Sequence, residues 1–187
     1  MPFSRSSDPA AGSVPRSVEP QRHVTDHPQR KGEAMTQAPT ELVVSAIIDN
    51  EMRYAYTSEE RVELVGAIVD EPHPEFSSKV YVWDRPCRES EDGAVREFPG
   101  TQLRVATDPA AGYGALNWAS REHRELLESF TDSPPDEPPS IRFDTQSDYF
   151  FPADALLPLD AIRQAVSEFI SSGLRPRSVE WQDGYQV

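Results

Sequence analysis

Leu159, Ile162, Ala165, Val166, Phe169 and Ile170 recur at helical spacing and place a continuous apolar stripe along one side of a helix. Pro158 stands where a first turn tolerates proline, and Asp160 complements the positive end of the helix dipole. Gly173 offers a left-handed C-cap, and Pro176 blocks extension. A helix so bounded must cover its stripe with a second layer. The remaining chain supplies strands for that layer. Leu42 to Ile48 is a short apolar run closed by Asp49-Asn50 and reads as a buried strand. Val80 and Val82 alternate with Tyr81 and Trp83, and Leu103 to Trp118 reads as a hairpin about the turn Asp108 to Gly112. Ile141 and Phe143 alternate with Arg142 and Asp144 as another strand, Tyr149-Phe150-Phe151 begins a short extended piece, and Ser178 to Trp181 closes the set.

A second helix opens at Thr57-Ser58-Glu59-Glu60, a capping box in which the Thr57 hydroxyl takes an orphan amide and Glu60 reaches back. Val62, Val65, Ile68 and Val69 then share a face, and Pro72 and Pro74 bar continuation. Ser120 to Phe130 is read as a further short helix with a thin apolar face, and Arg88 to Arg96 as a solvated, charged turn. The expected fold is α+β: a single, mostly antiparallel sheet with two main helices packed on one face.

The first 34 residues differ from the rest. They are rich in Pro, Ser and Arg, hold one aromatic (Phe3) and show no hydrophobic periodicity, so they bury too little apolar surface to offset their ordering entropy. Two readings stand: a disordered tail, or translation that starts at Met35, just after the Lys31-Gly32-Glu33 stretch whose codons can be purine-rich. Residues 35–187 are expected to form the folded domain. The tail contains five basic and four acidic residues, which leaves 13 basic and 28 acidic residues from Met35 onward.

Over all 187 residues, 32 Asp and Glu face 18 Lys and Arg, for a net charge of -14. Such a surface repels phosphates, which argues against nucleic acid or an anionic membrane as the partner. No stretch approaches the roughly 18–20 apolar residues of a membrane span, and no apolar run resembles a secretory signal. With one cysteine, Cys87, an internal disulfide is excluded and a cysteine-based zinc site lacks ligands. His73, between two prolines, and His123, among charged residues, read as solvent-exposed with no spaced partner for a metal. Gly112-Tyr113-Gly114 lacks the third glycine and the helix of a phosphate loop. Cys87 is read as structural, and Trp83, Trp118 and Trp181 as core or core-edge residues. No cofactor, metal or catalytic set is implied, and the expected location is the cytoplasm.

From Glu125 to Asp148 seven carboxylates (Glu125, Glu128, Asp132, Asp136, Glu137, Asp144, Asp148) face one cation, Arg142. A solvated loop is the plain reading of such a run. The functional reading is a docking surface for a basic partner, with the aromatics Tyr149 to Phe151 beside an acidic rim as anchor.

Phe151-Pro152, Leu157-Pro158, the amphipathic helix, Gly173-Leu174-Arg175-Pro176 and Val179-Glu180-Trp181 resemble the first-numbered Imm family of immunity proteins from bacterial polymorphic toxin systems. Gly112-Tyr113-Gly114-Ala115-Leu116 ahead of Trp118 is similar to that family's middle, and the likeness covers roughly residues 42–181. The resemblance implies a non-enzymatic inhibitor that binds and neutralises a cognate toxin domain, often a nucleic-acid deaminase or nuclease. It brings no catalytic residues. The toxin contacts inferred from charge are Asp132, Asp136, Glu137, Asp148 and Tyr149, facing a basic, nucleic-acid-acting toxin domain. Two rivals remain: an acidic interaction module or nucleic-acid mimic with a non-toxin partner, and a small enzyme using paired carboxylates. An adjacent reading frame ending in a toxin domain separates the first rival, and a deep pocket of perturbed carboxylates the second.

Overall fold

The computed structural model describes residues 42–184 apart from Glu91 and Gln146; the expectations for residues 1–34 lie outside the described residues. The elements, in chain order, are β1 (Val43–Ile48), β2 (Glu51–Ala55), α1 (Ser58–Asp70), β3 (Ser78–Trp83), β4 (Arg88–Glu89), β5 (Arg96–Glu97), β6 (Thr101–Asp108), β7 (Tyr113–Ser120), β8 (Glu125–Phe130), a 3-10 turn at Ala153–Ala155, β9 (Leu157–Pro158), α2 (Leu159–Ser172) and β10 (Glu180–Asp183). One antiparallel sheet runs in the order β10-β8-β7-β6-β3-β1-β2, with β9 pairing to β7. The small ribbon β4–β5 stands apart from it. The architecture is the expected α+β one.

Period-two alternation divides the sheet into two faces. Val44, Ala46, Ile48, Val80, Val82, Leu103, Val105, Leu116 and Trp118 point to one face, where α1 and α2 cover them. Phe169 of α2 is fully buried there and meets the Trp118 ring edge-on at 5.7 Å between centroids. Both helices start and stop for local reasons. At α1 the Thr57 hydroxyl accepts from the Glu60 amide, and the Glu60 carboxylate accepts from the amides of Thr57 and Tyr56. Its carboxyl is held below the ordinary value by those two amides. At α2, Gly173 adopts φ 69° and donates its amide to Phe169 O. Pro158 falls one residue before the helix, in β9. Among the described residues no helix is long and apolar enough to cross a membrane.

Several local expectations are corrected. Ser120 to Phe130 is not helical: Arg124 takes φ 53° in a tight turn, and β8 then pairs along β7. The apolar residues there are too few for a helical stripe, whereas the strand sends Leu127 toward the helices and Glu128 to the other face. Val62 lies on the rim of the α1 arc near its N-terminal end and is 72% exposed, so the buried set is Leu64, Val65, Ile68 and Val69. Arg88 to Arg96 falls in the ribbon β4–β5, which ends at Glu97, rather than in a plain turn. Residues 141–144 form no extended strand; a single bridge joins Arg142 to Phe150. The closing strand is Glu180–Asp183.

His73 is also not exposed. Its side chain is 4% accessible, with Nδ1 at 2.8 Å from Asp49 Oδ2 and Nε2 at 2.7 Å from Ala67 O. Ala67 is within the last four carbonyls of α1, which have no intrahelical partner, and the last turn holds no basic residue. The imidazole therefore caps α1 and ties it to the β1–β2 turn, a role invisible in a sequence where its partners lie remote.

Gly114 explains part of the Gly-Tyr-Gly run. A Cβ there would stand 2.9 Å from Ala106 O and 3.1 Å from carbons of Ile162 and Thr107, so the bare backbone lets α2 close on β7. Gly112, by contrast, needs its φ of 80° for the turn.

Phe169→Ala is expected to lower unfolding free energy by about 3–5 kcal/mol, measured by urea denaturation. Gly114→Ala is expected to destabilise by about 1–3 kcal/mol. Gly66→Ala, inside α1 with its nearest obstacle a flexible Asp70 oxygen at 3.8 Å, is expected to stabilise by about 0.5–1 kcal/mol. Opposite signs in one thermal-melting series check both glycines.

Candidate protein-docking surface

The face of the sheet away from the helices carries a register row running Met52, Ile47, Lys79, Arg104, Asn117, Glu128 and Gln182 from one edge to the other. Five of these seven are polar, and residues 131–156 cross over their part of the sheet as a strap. Beneath the strap, Ala106 and Ala115 leave room for Ile141, Phe143, Phe151 and Leu156, which form a second buried cluster. Phe143 and Phe151 have centroids 5.6 Å apart, and Tyr149 joins them at about 6.0 Å. The strap is closed by backbone bonds from Phe143 N to Tyr149 O and from Phe151 N to Ile141 O.

Two polar contacts lock it to the row. Arg104 Nη1 donates to Asp144 Oδ2 at 2.8 Å and to Ser77 Oγ at 3.0 Å, with its guanidinium 4.1 Å from the Phe143 ring centroid. Both partners of the ion pair are largely buried, at 13% and 15% side-chain exposure. The Tyr149 hydroxyl donates to Glu128 Oε2 at 2.8 Å, and Glu128 is buried. Lys79, next to Arg104 in the row, has its pKa lowered by burial and then by that guanidinium.

The seven carboxylates of the acidic run now separate by role. Glu125 accepts from Trp118 Nε1 and from Arg175, Glu128 takes the Tyr149 hydroxyl, and Asp144 takes Arg104. Asp132, Asp136, Glu137 and Asp148 are exposed. These are the four carboxylates inferred from charge, and the structure sets all four on the strap. Tyr149 is half-buried and aims its hydroxyl inward. The exposed ring of the aromatic run is Phe150, 43% accessible, with Arg142 stacked 5.1 Å from its centroid. Alternation gives the signal: Tyr149 and Phe151 share the inward side, and Phe150 falls between them.

The remaining candidates are structural. Cys87 is buried, its amide bonds Ser45 Oγ, and burial raises its thiol pKa. Glu60, Asp92 and Glu168 have carboxyls held below their ordinary values. Glu60 serves the α1 cap; Asp92 is lowered by Ser90 and the Ala94 amide in the ribbon turn. At Glu168 burial raises the value, and the amides of Arg177 and Ser178 outweigh it. A concavity of about 320 Å³ at the end of the strap is lined by Glu75, Asp108, Asp144 and Arg142 among others. Among the described residues no three His, Cys, Asp or Glu side chains are grouped to hold a metal ion.

Tyr149→Phe is expected to cost about 1.5–3 kcal/mol, because it removes a hydrogen bond from a buried carboxylate. Asp132→Lys is expected to change stability by no more than about 0.5 kcal/mol. Paired denaturation curves check that the strap's inward and outward residues do separate work.

Of comparisons with known proteins, the family model described as immunity protein Imm1 matches residues 49–183. That span runs from the β1–β2 turn to the end of β10 and includes both helices and the whole strap. No curated protein matches the chain.

Proposed function

The chain belongs to the Imm1 family of immunity proteins, and from that premise we propose that it neutralises its toxin by laying the acidic strap over a basic, nucleic-acid-binding groove. The toxin in this reading is a deaminase or nuclease domain met in the cytoplasm, and inhibition is by direct contact, with no catalytic step. The contacts are Asp132, Asp136, Glu137 and Asp148. Phe150 supplies the exposed ring, and Tyr149 holds the strap's returning limb from below.

The observation that carries the proposal is the division of the carboxylates. Three are consumed by the fold, while four stand exposed on a strap that is itself pinned by buried contacts. A groove that tracks a nucleic-acid backbone is lined with cations. Presented carboxylates stand in for phosphates there, and the strap's bulk keeps a substrate strand out. The net charge of -14 adds long-range attraction toward such a toxin. Protection of a producing cell needs nearly full occupancy, which corresponds to nanomolar binding, about -12 kcal/mol.

The probe is the toxin domain encoded beside this gene. Co-expression is expected to restore growth of cells making that domain. Reversing charge at Asp132, Asp136 and Asp148 to Lys is expected to slow association about tenfold or more and to flatten its salt dependence. Stopped-flow kinetics across a salt series gives the answer, and unchanged rates would move the interface off the strap.

A further inference from the structure

The sheet has an edge that its covering loops leave open. β2 is the terminal strand, joined to β1 by the two-residue turn Asp49-Asn50, with φ of 49° and 67°. Such a turn makes Ile48 and Glu51 the closing hydrogen-bonded pair. Pairing alternates from there, so Glu51, Arg53 and Ala55 bond inward to β1. The amides and carbonyls of Met52 and Tyr54 point outward. Among the described residues no backbone group outside the sheet bonds to them.

The edge carries two charged residues, Glu51 and Arg53, but lacks the other devices that blunt one. β2 holds no proline, no lysine and no bulge, and its five pairs with β1 run in unbroken register. Met52, Tyr54 and Tyr56 form a row along it. The two tyrosines are 40% and 47% exposed with centroids 6.4 Å apart. Tyr54 is set in place by donating its hydroxyl to Cys87 O at 2.9 Å. Beside the row lies a concavity of about 500 Å³ lined by Ile47, Asn50, Met52, Tyr54, Glu89 and Ser90. Exposed, pre-ordered tyrosines with an adjoining recess of mixed polarity and outward-facing backbone groups are the elements of strand addition.

We propose that β2 receives an extended, basic segment of the toxin, which adds a strand to the sheet. Its apolar side chains would lie against Met52 and Tyr54, and a Lys or Arg on that side would reach Glu89, which borders the concavity. The occupant follows from charge. A second copy of this chain would bring another -14 to the edge, whereas a segment of a basic toxin is attracted to it. Arg53, the cation of the strand, and Glu51 both lie on the opposite face of the sheet from Met52 and Tyr54. This inference rests on the immunity reading but uses a surface separate from the strap.

The test measures amide exchange at Met52 and Tyr54 in the free protein and in complex with the toxin domain encoded beside this gene. Both amides are expected to gain protection. Met52→Pro removes an outward N–H that β1 does not use and is expected to raise Kd at least tenfold beyond Met52→Ala. Unchanged exchange at both positions in a formed complex would overturn the edge contact and leave the immunity reading standing. Absence of any complex with wild-type protein would overturn both. Protection that appears with protein concentration alone, together with a dimer in sedimentation, would assign the edge to a second copy and also overturn the inference. If Met52→Pro proves unstable, the exchange measurement on wild-type protein decides.

Discussion

The Arg104–Asp144 pair, stacked on Phe143 and set in the polar row of the sheet, is the contact on which the presentation of the strap depends. A run of Pro, Asp and Ser such as residues 131–140 has little apolar surface with which to hold itself. It is ordered because the segment that follows buries Ile141, Phe143 and Phe151 against Ala106 and Ala115. The ion pair and the Tyr149–Glu128 bond then fix where that segment sits. Removing one member of a largely buried pair leaves a charge without its compensation, which costs more than the intact pair contributes. The small alanines and the long polar side chains are thus two halves of one arrangement. The alanines make the space, and the polar row gives it a unique filling.

Much of the fold was legible because its signals are local. The stripe of α2, the Gly173 cap, the Thr57–Glu60 box and the β6–β7 hairpin each depend on residues within a few positions of one another. β8 was misread because Leu126, Leu127 and Phe130 fit a poor helix about as well as a strand, and only the available edge of β7 decides between them. β2 went unread for a related reason: Glu51 to Ala55 is mostly polar or exposed, and its pairing is set by the Asp49-Asn50 turn rather than by an apolar pattern. His73 was misplaced because Asp49 and Ala67 reach it through the fold. Of the site, the outward carboxylates were readable from charge density alone. That Tyr149 turns inward while Phe150 stays out depends on a one-residue register that only the Arg142–Phe150 bridge reveals.

The two helices and the two proposed contact regions occupy different parts of the sheet. α1 and α2 close the face lined by Val44 through Trp118, and the strap crosses the other face over β6, β7 and β8. The β2 edge is three strands away from β6 in the same sheet. A partner reaching both would lie along the helix-free side, with charge attraction at one end and backbone pairing at the other. Charge acts early and over distance, whereas strand pairing needs close registration, so the two contacts suit different moments of one encounter.

The sorting of carboxylates along the acidic run has an evolutionary consequence. Glu125, Glu128 and Asp144 are tied to tryptophan, tyrosine and arginine partners, so drift at those positions is penalised through folding. Asp132, Asp136, Glu137 and Asp148 carry no such debt to the scaffold. Under the proposed strap contact, a lineage pursued by a changing adversary can therefore rewrite those four letters, keeping its architecture while it shifts allegiance.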